Sequence, residues 1–158
     1  MQFPTEIPEL LEKRAVFVTL RNRENGDLLG CIGQSKPRYP LIEAVAKTAI
    51  SSAVNDTRFS SLTVEELPDL IIEINVLSRL APSKPEDVKI GKHGLMINKG
   101  SKGALFLPEV AVSNGWDLHT FLEELCRKAD LPERSWHDRE AELYVFESEV
   151  WGENEFLS

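Results

Sequence analysis

The sequence predicts an α+β fold: a mainly antiparallel sheet flanked by helices. Three observations carry this. The segments with strand character come in runs, whereas only two long helical periodicities occur, at 41–54 and 118–129. A doubly wound sheet needs regular strand–helix alternation, which is missing. The 158 residues, 42% apolar and 28% charged, suffice for one real core but not for two independent domains.

The elements follow in order. Pro4 and Pro8 precede a turn of helix formers, 9–13. Residues 15–20, Ala-Val-Phe-Val-Thr-Leu, are apolar on both faces and rich in β-branched side chains, the mark of an interior strand. Asn25-Gly26-Asp27 supplies turn chemistry, and 28–34 returns as the hairpin partner. Over 41–54, Leu41, Val45, Ala49 and Ala53 form one i, i+4 row and Ile42, Ala46, Ile50 and Val54 the next, with Pro40 tolerated at the start. A short helical turn at 63–67 stops at Pro68. Residues 69–79 alternate, setting Leu70, Ile72, Ile74 and Val76 against Ile71, Glu73, Asn75 and Leu77. Short strands joined by glycine turns are expected at Lys89-Ile90, 95–97 and 104–107. Helix 118–129 takes Asp117 as N-cap, buries Leu118, Phe121, Leu122, Leu125, Cys126 and Ala129, and places Arg127 and Lys128 at its dipole's negative end. One final strand is expected over 143–151.

Charge narrows the function classes. A net charge of −8 and only 18 Lys and Arg against 26 Asp and Glu speak against gripping a phosphate backbone or an anionic membrane. Two cysteines, Cys31 and Cys126, make no disulfide framework and no metal spacing, and the three histidines show no paired ligands. No metal and no cofactor are expected. The N-terminus lacks a signal pattern and no apolar run is long enough to span a membrane, so the expected location is cytoplasmic.

The candidate site centres on Gly30-Cys31-Ile32-Gly33. Paired glycines in a strand suggest a bulge or a close approach by another group, and a bulge would lift the Cys31 thiol toward a cleft. A nearby cation or helix start would activate that thiol as a nucleophile, with His93, in the turn Gly91-Lys92-His93-Gly94, as base. The plainer readings are a small apolar filler for Cys31 and an exposed turn residue for His93. Cys126 lies on a buried helix stripe and is structural. Lys36 and Arg38, leading into helix 41–54, would hold a small anionic ligand, or else belong to a surface connector. Glu73 and Asn75 share one strand face and either meet water or line a groove. Asp56 and Arg58 suit a salt-bridged turn, and Trp116 and Trp136 border helix 118–129. The glycine pairs at 30–33, 91–94 and 100–103 look strand-flanked, so they fit hairpin turns better than a nucleic-acid clamp, and no phosphate-loop or dinucleotide fingerprint occurs.

Taken together, Val16–Leu20, Leu29-Gly30-Cys31-Ile32-Gly33, Ala53–Asp56 with Arg58-Phe59, Ile74–Ser78, Gly91–Leu95, Leu107–Val110, Gly115-Trp116-Asp117 and Leu125–Ala129 resemble the AMMECR family in order and spacing, over roughly residues 14–151. The resemblance implies a single domain, residues 1–158, of two unequal subdomains. It also implies a gene neighbourhood with a Memo-like protein and a radical-SAM enzyme as partners, without implying an activity. The family pattern has arginine before Gly-Cys-Ile-Gly; Leu29 stands there in this chain, so no role of that arginine carries over. Members tend to carry a longer helical segment before the first strand. If that segment covers apolar sheet surface, a homodimer would cover it here. The expected function is therefore a cleft that binds a small anionic ligand or a partner protein, accessory to a radical-SAM system. The alternative is a small enzyme with Cys31 as nucleophile and His93 as base.

Overall fold

In the computed structural model, residues 5–153 are described, and their two antiparallel sheets and accompanying helices make an α+β fold. The chain divides into two units. The first holds residues up to 77 and those from 149 on; the second holds 78–148.

The first unit is built on strand β1 (Val16–Asn22), the interior strand the sequence predicts. It pairs antiparallel with β2 (Leu28–Gln34) on one side and β3 (Leu70–Leu77) on the other, and β8 (Ser148–Gly152) lies beyond β3. Val16, Val18 and Leu20 point to one face and are at most 2% exposed. Helix α1 (Leu41–Val54) packs on that face, where Val16, Ala44 and Val76 form a core with Leu41, Val45 and Ile74 around it. The row of α1 that is buried is not one of the two predicted apolar rows. It is Ala44, Thr48 and Ser52, while Ile50 and Val54 are 52% and 45% exposed.

Gly30 gives the reason. A Cβ at Gly30 would lie 2.0 Å from the Ser52 carbonyl oxygen, so helix backbone and strand backbone meet here without side chains between them. Only small residues on the helix permit that approach. The predicted bulge between the glycines is likewise displaced. Register runs evenly from Gly30 to Gly33, and the extra residue is Leu29, between the pairs Leu20–Gly30 and Arg21–Leu28. Both glycines instead make room: at Gly33 a Cβ would sit 2.0 Å from the Phe17 ring. The short turns expected at 9–13 and 63–67 are 3₁₀ helices at Pro8–Leu11 and Val64–Asp69.

In the second unit, β4 (Ala81–Pro82), β7 (Glu142–Phe146), β5 (Gly94–Lys99) and β6 (Lys102–Phe106) form the sheet in that order. Helix α3 (Leu118–Lys128) packs Phe121, Leu122, Leu125 and Cys126 against Leu95, Ile97 and Leu143. As predicted, Asp117 caps it, its carboxylate accepting from the Thr120 N–H at 2.8 Å. Trp116 and Trp136 border this core. Lys89-Ile90 is not a strand. It continues the turns after the 3₁₀ helix Pro85–Asp87, where the Lys89 carbonyl accepts from both Lys92 and His93 N–H groups. Helix α2 (Glu109–Asn114) escapes periodicity because six residues hold too few turns to show it, and Gly115, left-handed at φ 66°, ends it. The predicted final strand is two. Glu147 separates β7 from β8, exchanging hydrogen bonds with Ser78: Ser78 N–H donates to the Glu147 carbonyl, and Glu147 N–H to Ser78 Oγ, each at 2.8 Å.

Candidate functional site

Strand alternation gathers four of the predicted residues. Thr19 of β1 lies opposite Cys31 of β2 and Glu73 of β3, and the next row on that face is Gly33, Phe17 and Asn75. This is the sheet face away from α1. Asn75 is 1% exposed, which removes the expectation that it faces water, and Glu73 is partly exposed. The Cys31 sulfur is half-buried and lies 3.3 Å from Thr19 Oγ1.

The main chain at Cys31 is held more firmly than its sulfur. As β2 is the edge of its sheet, the Cys31 N–H and carbonyl point outward and need partners. The N–H donates to Asp56 Oδ2 at 2.9 Å, and the carbonyl accepts from Arg58 Nη2 at 3.1 Å. Asp56 and Arg58 are joined by a fork of Nε to Oδ1 at 2.9 Å and Nη2 to Oδ2 at 2.7 Å. The predicted salt-bridged turn is thus a clamp standing in for a fifth strand. The Arg58 fork, and then the Cys31 N–H, hold the Asp56 carboxyl well below the usual aspartate range, and the pairing raises the Arg58 guanidinium.

One residue along, β2 faces inward and Ser52 enters the ladder. Its Oγ accepts from the Ile32 N–H at 3.0 Å and lies 2.8 Å from the Val18 carbonyl and 2.9 Å from that of Thr48. A hydroxyl has one proton, so the two carbonyls share it. Sequence reasoning missed Thr19, Ser52 and the clamping role of Asp56 and Arg58. The signal for Ser52 was there, in the small polar residues spaced by four along an otherwise apolar helix.

A cleft of about 330 Å³ opens just past this clamp, lined by Gly33, Gln34, Ser35, Lys36, Arg38 and Tyr39. Lys36 and Arg38 are exposed, and among the described residues no carboxylate forms an ion pair with either. The Lys47 ammonium sits 4.9 Å from the Tyr39 ring centre. At the start of α1, the Leu41 N–H is spent on the Glu12 carbonyl at 2.7 Å. The structure thus brings Gly33, Lys36 and Arg38 to one cleft, which Cys31 does not line.

His93 belongs to the second unit. There its Nδ1 accepts from the Lys89 N–H at 3.0 Å, which in the neutral ring leaves the proton on Nε2. Cys126 is fully buried, and burial pushes its thiol up. Among the described residues no grouping of His, Cys, Asp and Glu could hold a metal ion, and no helix is long and apolar enough to cross a membrane.

The family model AMMECR1 matches residues 1–151. The chain belongs to the AMMECR1 family. Its AMMECR1 relatives include Protein PH0010 of Pyrococcus horikoshii, 45% identical over 92% of this chain and 75% of that protein. A protein of Aquifex aeolicus is 40% identical over 95% of this chain and 83% of its own length. The crystal structure of the uncharacterized protein PH0010 from Pyrococcus horikoshii superposes with a TM-score of 0.83 at 43% identity, covering 96% of this chain and 80% of that one. The AMMECR1 resemblance read from scattered motifs therefore extends to the whole fold.

Proposed function

We propose that this AMMECR1-family chain is a ligand-binding protein whose Gly33–Tyr39 cleft takes a small anionic ligand. One observation carries the reading: Lys36 and Arg38, free of carboxylate partners among the described residues, line the same cleft in a chain of net charge −8. Two cations converging on one cleft can both give charge-assisted hydrogen bonds to the same anion. Gln34, Ser35 and Tyr39 add polar groups that fix orientation. Cys31 supports a thiol chemistry less well, since its sulfur neighbours the Thr19 hydroxyl and stays outside the cleft.

Calorimetric titration with inorganic phosphate and with succinate tests this. At least one should bind, and Lys36→Ala or Arg38→Ala should each weaken binding about tenfold, the worth of a charge-assisted hydrogen bond of about 1.5 kcal/mol. Both side chains are exposed, so neither change disturbs folding. Binding unaltered by both substitutions, or absent for both anions at millimolar concentration, would overturn the proposal.

A further inference from the structure

Resting on that reading, we infer that the cleft recognises a carboxylate attached to an amide: an N-acylated amino acid, or the carboxyl-terminal residue of a peptide. The inference comes from the sheet edge. Cys31 turns its N–H and carbonyl outward from β2, as their bonds to Asp56 and Arg58 show. In an antiparallel strand the outward set repeats every second residue, so Gly33 also turns its N–H and carbonyl outward. Ile32 between them turns inward, its N–H reaching the hydroxyl that bridges to Val18.

At Cys31 the edge is closed by side chains; at Gly33 it lines the cleft. Gly33 has no side chain to shield that edge, and could not carry one, because the Phe17 ring fills the place of its Cβ. An acyl amide running parallel to β2 beside Gly33 therefore makes a strand-type hydrogen bond, its carbonyl accepting from the Gly33 N–H. A carboxylate a few ångströms further along β2 meets Lys36 and Arg38.

The clamp also sets the ligand's length. Cys31 is two residues, about 6.6 Å, back along the strand. A longer partner strand would have to displace Asp56 and Arg58 from their hydrogen bonds. The edge thus accepts one amide and not a ladder. A cleft of about 330 Å³ suits that size, at the small end of ligand-binding clefts.

The test is titration of the full chain with five probe sets: a panel of N-acetyl amino acids spanning the side-chain types, their C-terminal amides, the same acids with the acetamido group replaced by hydrogen, octapeptides with the same final residues and free carboxylates, and acetate with inorganic phosphate. The expected result is that some acetyl amino acids bind at least tenfold more tightly than acetate. Amidation of the carboxylate, replacement of the acetamido group by hydrogen, and Lys36→Ala or Arg38→Ala should each lose at least tenfold. Matching affinity of the octapeptides points to protein chain ends as the source; weaker octapeptide binding points to free acyl amino acids. If phosphate binds with dependence on Lys36 and Arg38 while the acetyl amino acids bind no better than acetate, the amide inference falls and the anion cleft stands. If no probe binds, both fall.

Discussion

Asp56 shows how one side chain can govern a strand edge. Its carboxylate, 7% exposed, receives the Cys31 N–H and the Arg58 fork, and both bonds favour the ionised form. Its folded pKa is therefore depressed relative to an unfolded aspartate near 3.9. The sign follows by linkage: the clamp contributes fully above the unfolded value and is lost as pH falls below about 4 toward the folded one. Urea midpoints measured at pH 7 and pH 3 should fall with acid in the wild type. Asp56→Asn should be less stable at pH 7 and lose less between the two pH values. An unchanged acid response would show that the carboxylate is not ionised in the fold. The two thiols make a second residue-scale contrast. With Cys126 fully buried and Cys31 half-buried, iodoacetamide on the native protein should label Cys31 alone, and mass spectrometry should find Cys126 modified only after unfolding. Labelling of Cys126 without denaturant would contradict its place in the core.

Among the elements, the contact of α1 with β2 decides how the first unit packs. The helix lies close because Gly30 has no side chain and because Ala44, Thr48 and Ser52 are small. Gly30→Ala places a methyl against the Ser52 carbonyl, a backbone atom that no rotamer change can move. The expected loss is about 3 kcal/mol, at the upper end for an overpacked core, read from chemical denaturation. A loss below about 1 kcal/mol would mean that helix and strand can slide apart. Periodicity reads this helix correctly in extent, and its Leu41–Val45 row does pack on the core, but the centre of the buried face lies one row over, at Ala44, Thr48 and Ser52. Periodicity weighs apolarity, whereas the buried row here is selected by size and by hydrogen bonds from Ser52 into the β1–β2 ladder. The same limit explains α2, too short to show a period, and β7 and β8, which look continuous until Ser78 and Glu147 pin the chain between them.

For the whole molecule, charge and family set the frame. With a net charge of −8, duplex DNA should show no retardation by micromolar protein at 0.15 M salt, because the long-range field opposes phosphate and screening leaves only local contacts. A retarded band that disappears with Lys36→Ala would show a local basic site overcoming that field. From the sequence alone came the α+β class, the interior strand, the hairpin, both long helices, the structural Cys126 and the family, because these rest on local propensity, periodicity and ordered motifs. Lys36 and Arg38 were also within reach, being close in the chain to one another and to Gly33. What only tertiary structure decided is the environment of Cys31. Asp56 and Arg58 approach its backbone from 25 and 27 residues away, Ser52 bridges strands from a helix, and Thr19 meets the sulfur across a register. No local pattern encodes those meetings. They follow from the close packing that a glycine without a side chain allows, and from the demand of an edge strand for partners to its outward amides.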